Sequence, residues 1–228
     1  MLNIEDQKSH LAFDGRLSWS GDVRCPHGTI RDLLGTASVA ALIDYVAEHE
    51  DAFAPGLLRR RGSGERRVDR AVLDSRALRG IGPFQRRFES AMRAIAPLAV
   101  ARLGLVEPAI EPREFEFASY GDGGHFDVHV DTADRVKHVR ILSCVYYFHV
   151  TPPRFSGGAL RLHGFPDPFG RSSRPRVDIM PENDMLVMFP SWMEHEVRPV
   201  QVASGAWIDR RFSINCWIHR VNAVAWAR

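Results

Sequence analysis

YGDGGHFDVHVD, Tyr120 to Asp131, is the stretch around which this chain is organised. A glycine-rich turn leads into His125, Asp127, His129 and Asp131, set at every second position. In an extended strand, residues i and i+2 share a face, with Cα atoms about 6–7 Å apart. An imidazole and a carboxylate so placed can converge on one divalent metal ion. Two pairs qualify, His125 with Asp127 and His129 with Asp131, and spacing alone does not choose between them. A lone His-x-Asp is weak evidence, because such pairs also serve as ordinary hydrogen-bonding groups.

A distal histidine strengthens it. His195 lies in FPSWMEHEVRPV, just after the apolar run MLVMFP and a tight turn at Pro190–Ser191. Two imidazoles and one carboxylate make the triad that holds one face of an octahedral Fe(II) and leaves the other positions open. Farther on, Arg211 starts the alternating strand RFSINCW. A buried arginine needs an anionic partner. No acid within that strand can serve, and the planar guanidinium fits a ligand carboxylate bidentately. The competing reading is an ion pair with Asp209. Arg210 falls on the opposite strand face, where solvation is expected. Tyr147, in VYYFH, can offer a hydroxyl to the same carboxylate. His125, His138, His149, His163 and His219 read as ordinary strand or loop histidines.

Working outward, residues 1–20 read as a loose leader or an edge strand, and Val23–Gly35 as a short strand and turn. Val39, Leu42, Ile43 and Val46 recur at helical spacing from Val39 to Phe53, with Thr36 or Ser38 as N-cap and an end near Pro55. Leu58–Arg67 is rich in Arg, Gly and Ser and reads as a solvated loop. Val68–Leu73 could be a strand. Phe84–Leu103 is a second helix, which Pro97 should kink or split. From Phe115 the period becomes two, so Glu114 and Glu116 alternate with phenylalanines in a half-buried strand. Strands follow over 124–131, 140–149, 158–163, 185–189, 195–200 and 210–219. Helices first and many short strands after give an α+β class. The expected architecture is a double-stranded β-helix, or jelly roll, with N-terminal helices packed on one sheet. Residues 1–228 are expected to form a single domain, with helical support over 36–105 and a jelly-roll core over 112–220.

Composition bounds the rest. Net charge is +2, which gives no reason to expect nucleic acid or an anionic membrane as partner. Cys25, Cys144 and Cys216 fit no zinc motif or disulfide framework. The N-terminus has no signal-peptide pattern and the chain no membrane-length apolar run. A reducing cytoplasm is the expected setting.

In order, Tyr120, Gly123, Phe126, His129 and Asp131, then Tyr146-Tyr147-Phe148, Ser156-Gly157-Gly158, His195-Glu196-Val197-Arg198-Pro199 and Arg211 to Trp217 resemble the Fe(II)/2-oxoglutarate-dependent dioxygenases. The likeness is to the prolyl 4-hydroxylase-like branch, above all to its oxygen-sensing prolyl hydroxylases. It selects the second His-x-Asp. It implies Fe(II) on His129, Asp131 and His195, which are then the catalytic residues. It also implies a 2-oxoglutarate cosubstrate with its distal carboxylate on Arg211, aided by Tyr147 and Ser213, with Tyr120 lining the pocket. O2 is the second cosubstrate and ascorbate an expected stimulant. The implied reaction hydroxylates an unactivated C–H bond and releases succinate and CO2. Substrate candidates are a prolyl or other residue of a peptide or protein, and a free amino acid or biosynthetic intermediate. This chain departs from the pattern by an insertion within Ala203–Asp209 and a long loop over 163–178, both expected at the jelly-roll mouth. The alternatives are a non-catalytic, cupin-like metal-binding jelly roll and a zinc hydrolase using Glu194 or Glu196 as base.

Overall fold

The computed structural model describes residues 16–59, 65–105, 109–132, 139–166, 168–169 and 173–221. Two sheets carry the fold. The eight-stranded sheet runs β1 (Arg16–Trp19), β2 (Gly28–Arg31), β14 (Met185–Pro190), β10 (Arg140–Phe148), β17 (Arg211–Arg220), β8 (Ile110–Tyr120), β7 (Arg76–Arg79) and β3 (Ala54–Pro55). The five-stranded sheet runs β13 (Arg176–Ile179), β12 (Leu160–His163), β15 (Glu194–Val197), β9 (His125–His129) and β6 (Leu73–Asp74). Two short pairs complete it, β4 (Leu58–Arg59) with β5 (Arg66–Arg67), and β11 (Ser156–Gly157) with β16 (Val200–Gln201). Every pairing between these strands is antiparallel.

Alternation assigns the faces. Phe212, Ile214, Cys216 and Ile218 of β17 join Leu142, Cys144, Tyr146 and Phe148 of β10 in the core beneath the helices. The helices α1 (Thr36–Glu48) and α2 (Gln85–Arg102) cover that face with Val39, Leu42 and Val46, and with Phe88, Met92 and Ile95. The opposite face packs on the smaller sheet through Tyr147, Val187 and Phe189 against Leu160 and Leu162. The result is strand-rich, with large antiparallel sheets and helices on one side, which is consistent with a jelly roll. All three cysteines are free and buried. Among the described residues no helix is long and apolar enough to cross a membrane.

Several local expectations give way to tertiary causes. Neither Thr36 nor Ser38 caps α1; its N-cap is Gly35, at φ 81°. Asp184, from a distant strand end, instead holds the residues just ahead of the helix, accepting hydrogen bonds from Leu34 N and Gly35 N at 2.8 Å each. Pro97 does not split α2, because it sits on the exposed side, where the carbonyl it leaves unbonded can turn to water. Val68–Leu73 is not a strand: the Asp69 carbonyl accepts from Val72 N and Leu73 N in a turn. The loop read over Leu58–Arg67 is closed by the β4–β5 pair, with 60–64 outside the described residues. The leader calls at 1–15 and the His138 call also lie outside them. β1 is an edge strand, as expected for the end of that segment.

The insertion within Ala203–Asp209 is not at the mouth. Trp207 is buried in the helix-side core, donates to Val46 O at 2.7 Å and meets Phe53 edge-on at 4.9 Å. Arg210, expected to be solvated, lies half-buried with its guanidinium 4.9 Å from the Trp207 ring. The 163–178 loop does reach the site region: Phe165 stacks on Trp192, at 5.0 Å, in the turn that precedes His195.

Candidate active site

β9 and β15 are neighbours, and their register sets His129 directly opposite His195, with ring centroids 4.1 Å apart. After β9 the chain leaves the sheet. The Asp131 N–H donates to Ser191 O at 2.9 Å, which turns the carboxylate inward. His129 Nε2 then lies 3.9 Å from Asp131 Oδ1, and His195 Nε2 lies 3.6 Å from Asp131 Oδ2. One ligand atom from each residue falls within 4.8 Å of the other two. The tandem His-x-Asp therefore does not share one continuous strand face. His125 faces Gly123 O and Ala71 O at 3.0 and 3.2 Å, and Asp127 is exposed.

The donor set suits a divalent metal. His129 Nδ1 lies 2.7 Å from Asp127 O and His195 Nδ1 lies 2.8 Å from Met193 O. A carbonyl can only accept, so each Nδ1 carries the proton and each Nε2 offers a lone pair. Phe126 stacks flat on His129 at 3.5 Å and Phe189 meets His195 edge-on at 4.7 Å, fixing both rings. Ser143 Oγ donates to Asp131 Oδ2 at 2.5 Å. Burial, with the charge of His195, holds the His129 imidazole down to about 4. Burial pushes the Asp131 carboxyl up, but His195, His129, Ser143 and Trp217 outweigh it and hold it below the ordinary value. At neutral pH the cluster thus presents a neutral His129 and a carboxylate.

Arg211 is 1% exposed. Its Nε donates to Gly158 O at 2.8 Å and an Nη to Tyr147 Oη at 3.3 Å. Its guanidinium lies 5.0 Å from the Tyr120 ring and 4.8 Å from the Tyr147 ring. No acid among the described residues pairs with it. Asp209 is taken by Arg154 and Ser204, at 3.2 and 2.7 Å. Ser213, one pleat along on the same face, is in register with Tyr147 and donates to Asn215 Oδ1 at 3.1 Å. Of the expected histidines, His163 sits on Glu196 at 3.1 Å, His219 lies within 2.8 Å of Glu114, and His149 is buried with its Nδ1 2.8 Å from Val150 O.

Sequence reasoning missed Glu116. Alternation with phenylalanines suggested a solvent side, but in a two-sheet sandwich the second face of β8 is also interior. Glu114, at φ 55°, escapes outward to Arg140 and His219; burial pushes its carboxyl up, but these partners outweigh that and hold it at about 2. Glu116 does not escape, and burial pushes it up to about 6 from 4.5. A carboxyl raised on folding favours the folded state below the unfolded value, and that advantage is lost as pH rises through the folded one. Glu116→Gln is therefore expected to stabilise the protein by about 1–2 kcal/mol at pH 8 and to leave it unchanged at pH 4. Urea titrations of both proteins at the two pH values measure this; an equal difference at both would remove ionisation as the cause.

Known proteins are similar to this chain in sequence and in fold. Residues 115–219 match the 2OG-Fe(II) oxygenase superfamily. An uncharacterised PKHD-type hydroxylase, sll0191, of Synechocystis sp. is 31% identical over 109 residues, 47% of this chain. That match spans 36% of the relative's length. A Pseudomonas putida prolyl-4-hydroxylase superposes with a TM-score of 0.62 at 22% identity, covering 86% of this chain and 93% of that one. A Trichoplax adhaerens prolyl hydroxylase, solved with a hypoxia inducible factor oxygen degradation domain peptide fragment, gives 0.59 at 20%, covering 85% and 83%. Residues 115–219, which carry His129, Asp131, His195 and Arg211, are thus similar in sequence to the 2OG-Fe(II) oxygenase superfamily and lie in a fold that these two prolyl hydroxylases share.

Proposed function

We propose that this chain is an Fe(II)- and 2-oxoglutarate-dependent dioxygenase that hydroxylates an unactivated C–H bond, with O2 consumed and succinate and CO2 released. In this reading the two sheets form a double-stranded β-helix and residues 1–228 act as one domain in a reducing cytoplasm. One observation carries it: a fully buried arginine, with no acidic partner among the described residues, lies against Tyr120, which also stands within reach of the charge of Asp131 in a two-histidine, one-aspartate cluster. A purely metal-binding jelly roll has no use for such a guanidinium, and leaving it unpaired is costly.

His129, Asp131 and His195 would hold the iron, which when bound supplies the redox chemistry that side chains lack. Asp131 contributes the anionic ligand, and Ser143 fixes its orientation. Arg211 grips the distal carboxylate of 2-oxoglutarate bidentately. Tyr147 adds a hydroxyl, Ser213 a second one, and Tyr120 walls the pocket. Burial of all four keeps water out and strengthens these charge interactions. The substrate is a residue of a peptide or protein, or a free amino acid or biosynthetic intermediate.

Gly158 is built into the anchor. A Cβ there would fall 2.7 Å from Arg211 Cδ, and the residue's φ is +67°. Gly158→Ala is expected to displace the guanidinium and raise the apparent KM for 2-oxoglutarate roughly 10-fold, about 1.4 kcal/mol, with Fe(II) affinity retained. Steady-state kinetics beside a metal titration check this. The central test is succinate release with Fe(II), 2-oxoglutarate and O2, with ascorbate added as stimulant. Release that needs all three supports the reading; Fe(II)-independent turnover, or activity supported by Zn(II), overturns it.

A further inference from the structure

Glu116 stands where a carboxylate is costly. β8 sends Phe115 and Phe117 into the core beneath the helices, and Ala118 and Tyr120 into the space between the sheets. Glu116 shares that second face. In register it opposes Asn215 of β17. Opposed residues of antiparallel strands point to the same side. Glu116 and Asn215 therefore face the space between the sheets, between the Arg211–Tyr120 end and the level of Trp217, which bonds Asp131. Asp131 is near enough for its charge to act on Glu116.

No hydrogen bond or ion pair joins the Glu116 carboxylate to any of the described residues. Arg140 and Arg79 are its cationic neighbours. Arg140 is committed elsewhere, bonded to Glu114 and stacked 3.9 Å from the Trp217 ring centroid. Arg79, its register partner, is exposed and forms no ion pair with it. A largely desolvated carboxylate with no partner destabilises the fold unless something bound supplies the donor.

The geometry points to Glu116 as a specificity-determining residue that receives a protonated nitrogen of the substrate, which is then a free amino acid or a similarly small amine. A prolyl residue inside a peptide has no N–H and no charge. Packed against Glu116 it would strip water from the carboxylate and return nothing. This inference rests on the oxygenase reading above and narrows its substrate class.

The test first titrates the protein with Fe(II) and 2-oxoglutarate, then adds three probe sets. These are the free L-amino acids, their fully N-acetylated counterparts, and a neutral proline-containing peptide. Binding is read by calorimetry and turnover by succinate release. A free amino acid is expected to bind and stimulate, with its acetylated form roughly 10-fold weaker or worse. Glu116→Gln is expected to erase that preference and Glu116→Asp to keep part of it. Preference for the neutral peptide, equal binding of the acetylated form, a wild-type preference in Glu116→Gln, or no response to any free amine overturns the inference. Failure of Fe(II)-dependent 2-oxoglutarate binding at the first step removes the oxygenase reading instead, and this inference with it.

Discussion

Asp131→Ala is expected to abolish succinate formation and to weaken Fe(II) binding by more than about 100-fold. Loss of a hydrogen-bond partner one step out from a metal typically costs 10–100-fold in affinity, and a charged ligand costs more. Asp131 supplies the negative charge between two imidazoles, at 3.9 Å from His129 Nε2 and 3.6 Å from His195 Nε2. Removing it also strands the Ser143 hydroxyl, which donates to it at 2.5 Å. Asp131→Asn separates the two effects: it keeps an oxygen for Ser143 and discards the charge. Both variants should lose turnover, with the asparagine nearer wild type in thermal stability. Calorimetric Fe(II) titration, succinate release and melting curves measure all three quantities. Wild-type metal affinity in either variant would reject the triad.

Arg211→Ala is expected to act on the other half of the site. Hydrogen bonds to charged groups contribute about 1.5–3 kcal/mol each, so losing a two-point grip should raise the 2-oxoglutarate KM about 100-fold or more. Fe(II) affinity should stay within about 2–3-fold, because the guanidinium touches Gly158 O and Tyr147 Oη and none of the three metal-capable residues. Arg211→Lys keeps the charge but not the fork, so only part of the affinity should return. Substrate-saturation curves for 2-oxoglutarate in the three proteins decide it. An unchanged KM in the alanine variant would move the carboxylate anchor to another residue. A parallel loss of Fe(II) binding would mean a structural role.

The strands of this protein were legible because each inner strand alternates cleanly. RFSINCWIHR could be divided by eye into a row of Phe212, Ile214, Cys216 and Ile218 and a row of Arg211, Ser213, Asn215 and Trp217, and the sandwich keeps that division. Helix α2 was legible from Phe88, Met92 and Ile95. Pro97 did not split it, because the carbonyl left unbonded lies on the exposed side, which the sequence alone does not report. The way the chain enters α1 was illegible for a similar reason, since Asp184, which holds Leu34 and Gly35, lies far along the chain.

By itself, the sequence determined which chemistry was available: two imidazoles and an acid at metal-ligand spacing, and an arginine at the head of an otherwise apolar strand. Only the tertiary structure decided what each alternating face meets. It took His125 and Asp127 out of the running through the register shift between Phe126 and His129, and it sent Trp207 under α1 instead of to the mouth. It also turned the Glu116 side of β8 from an expected surface into a buried face between the sheets. Periodicity reports that two faces differ, whereas burial depends on what packs against each, and that partner comes from distant parts of the chain.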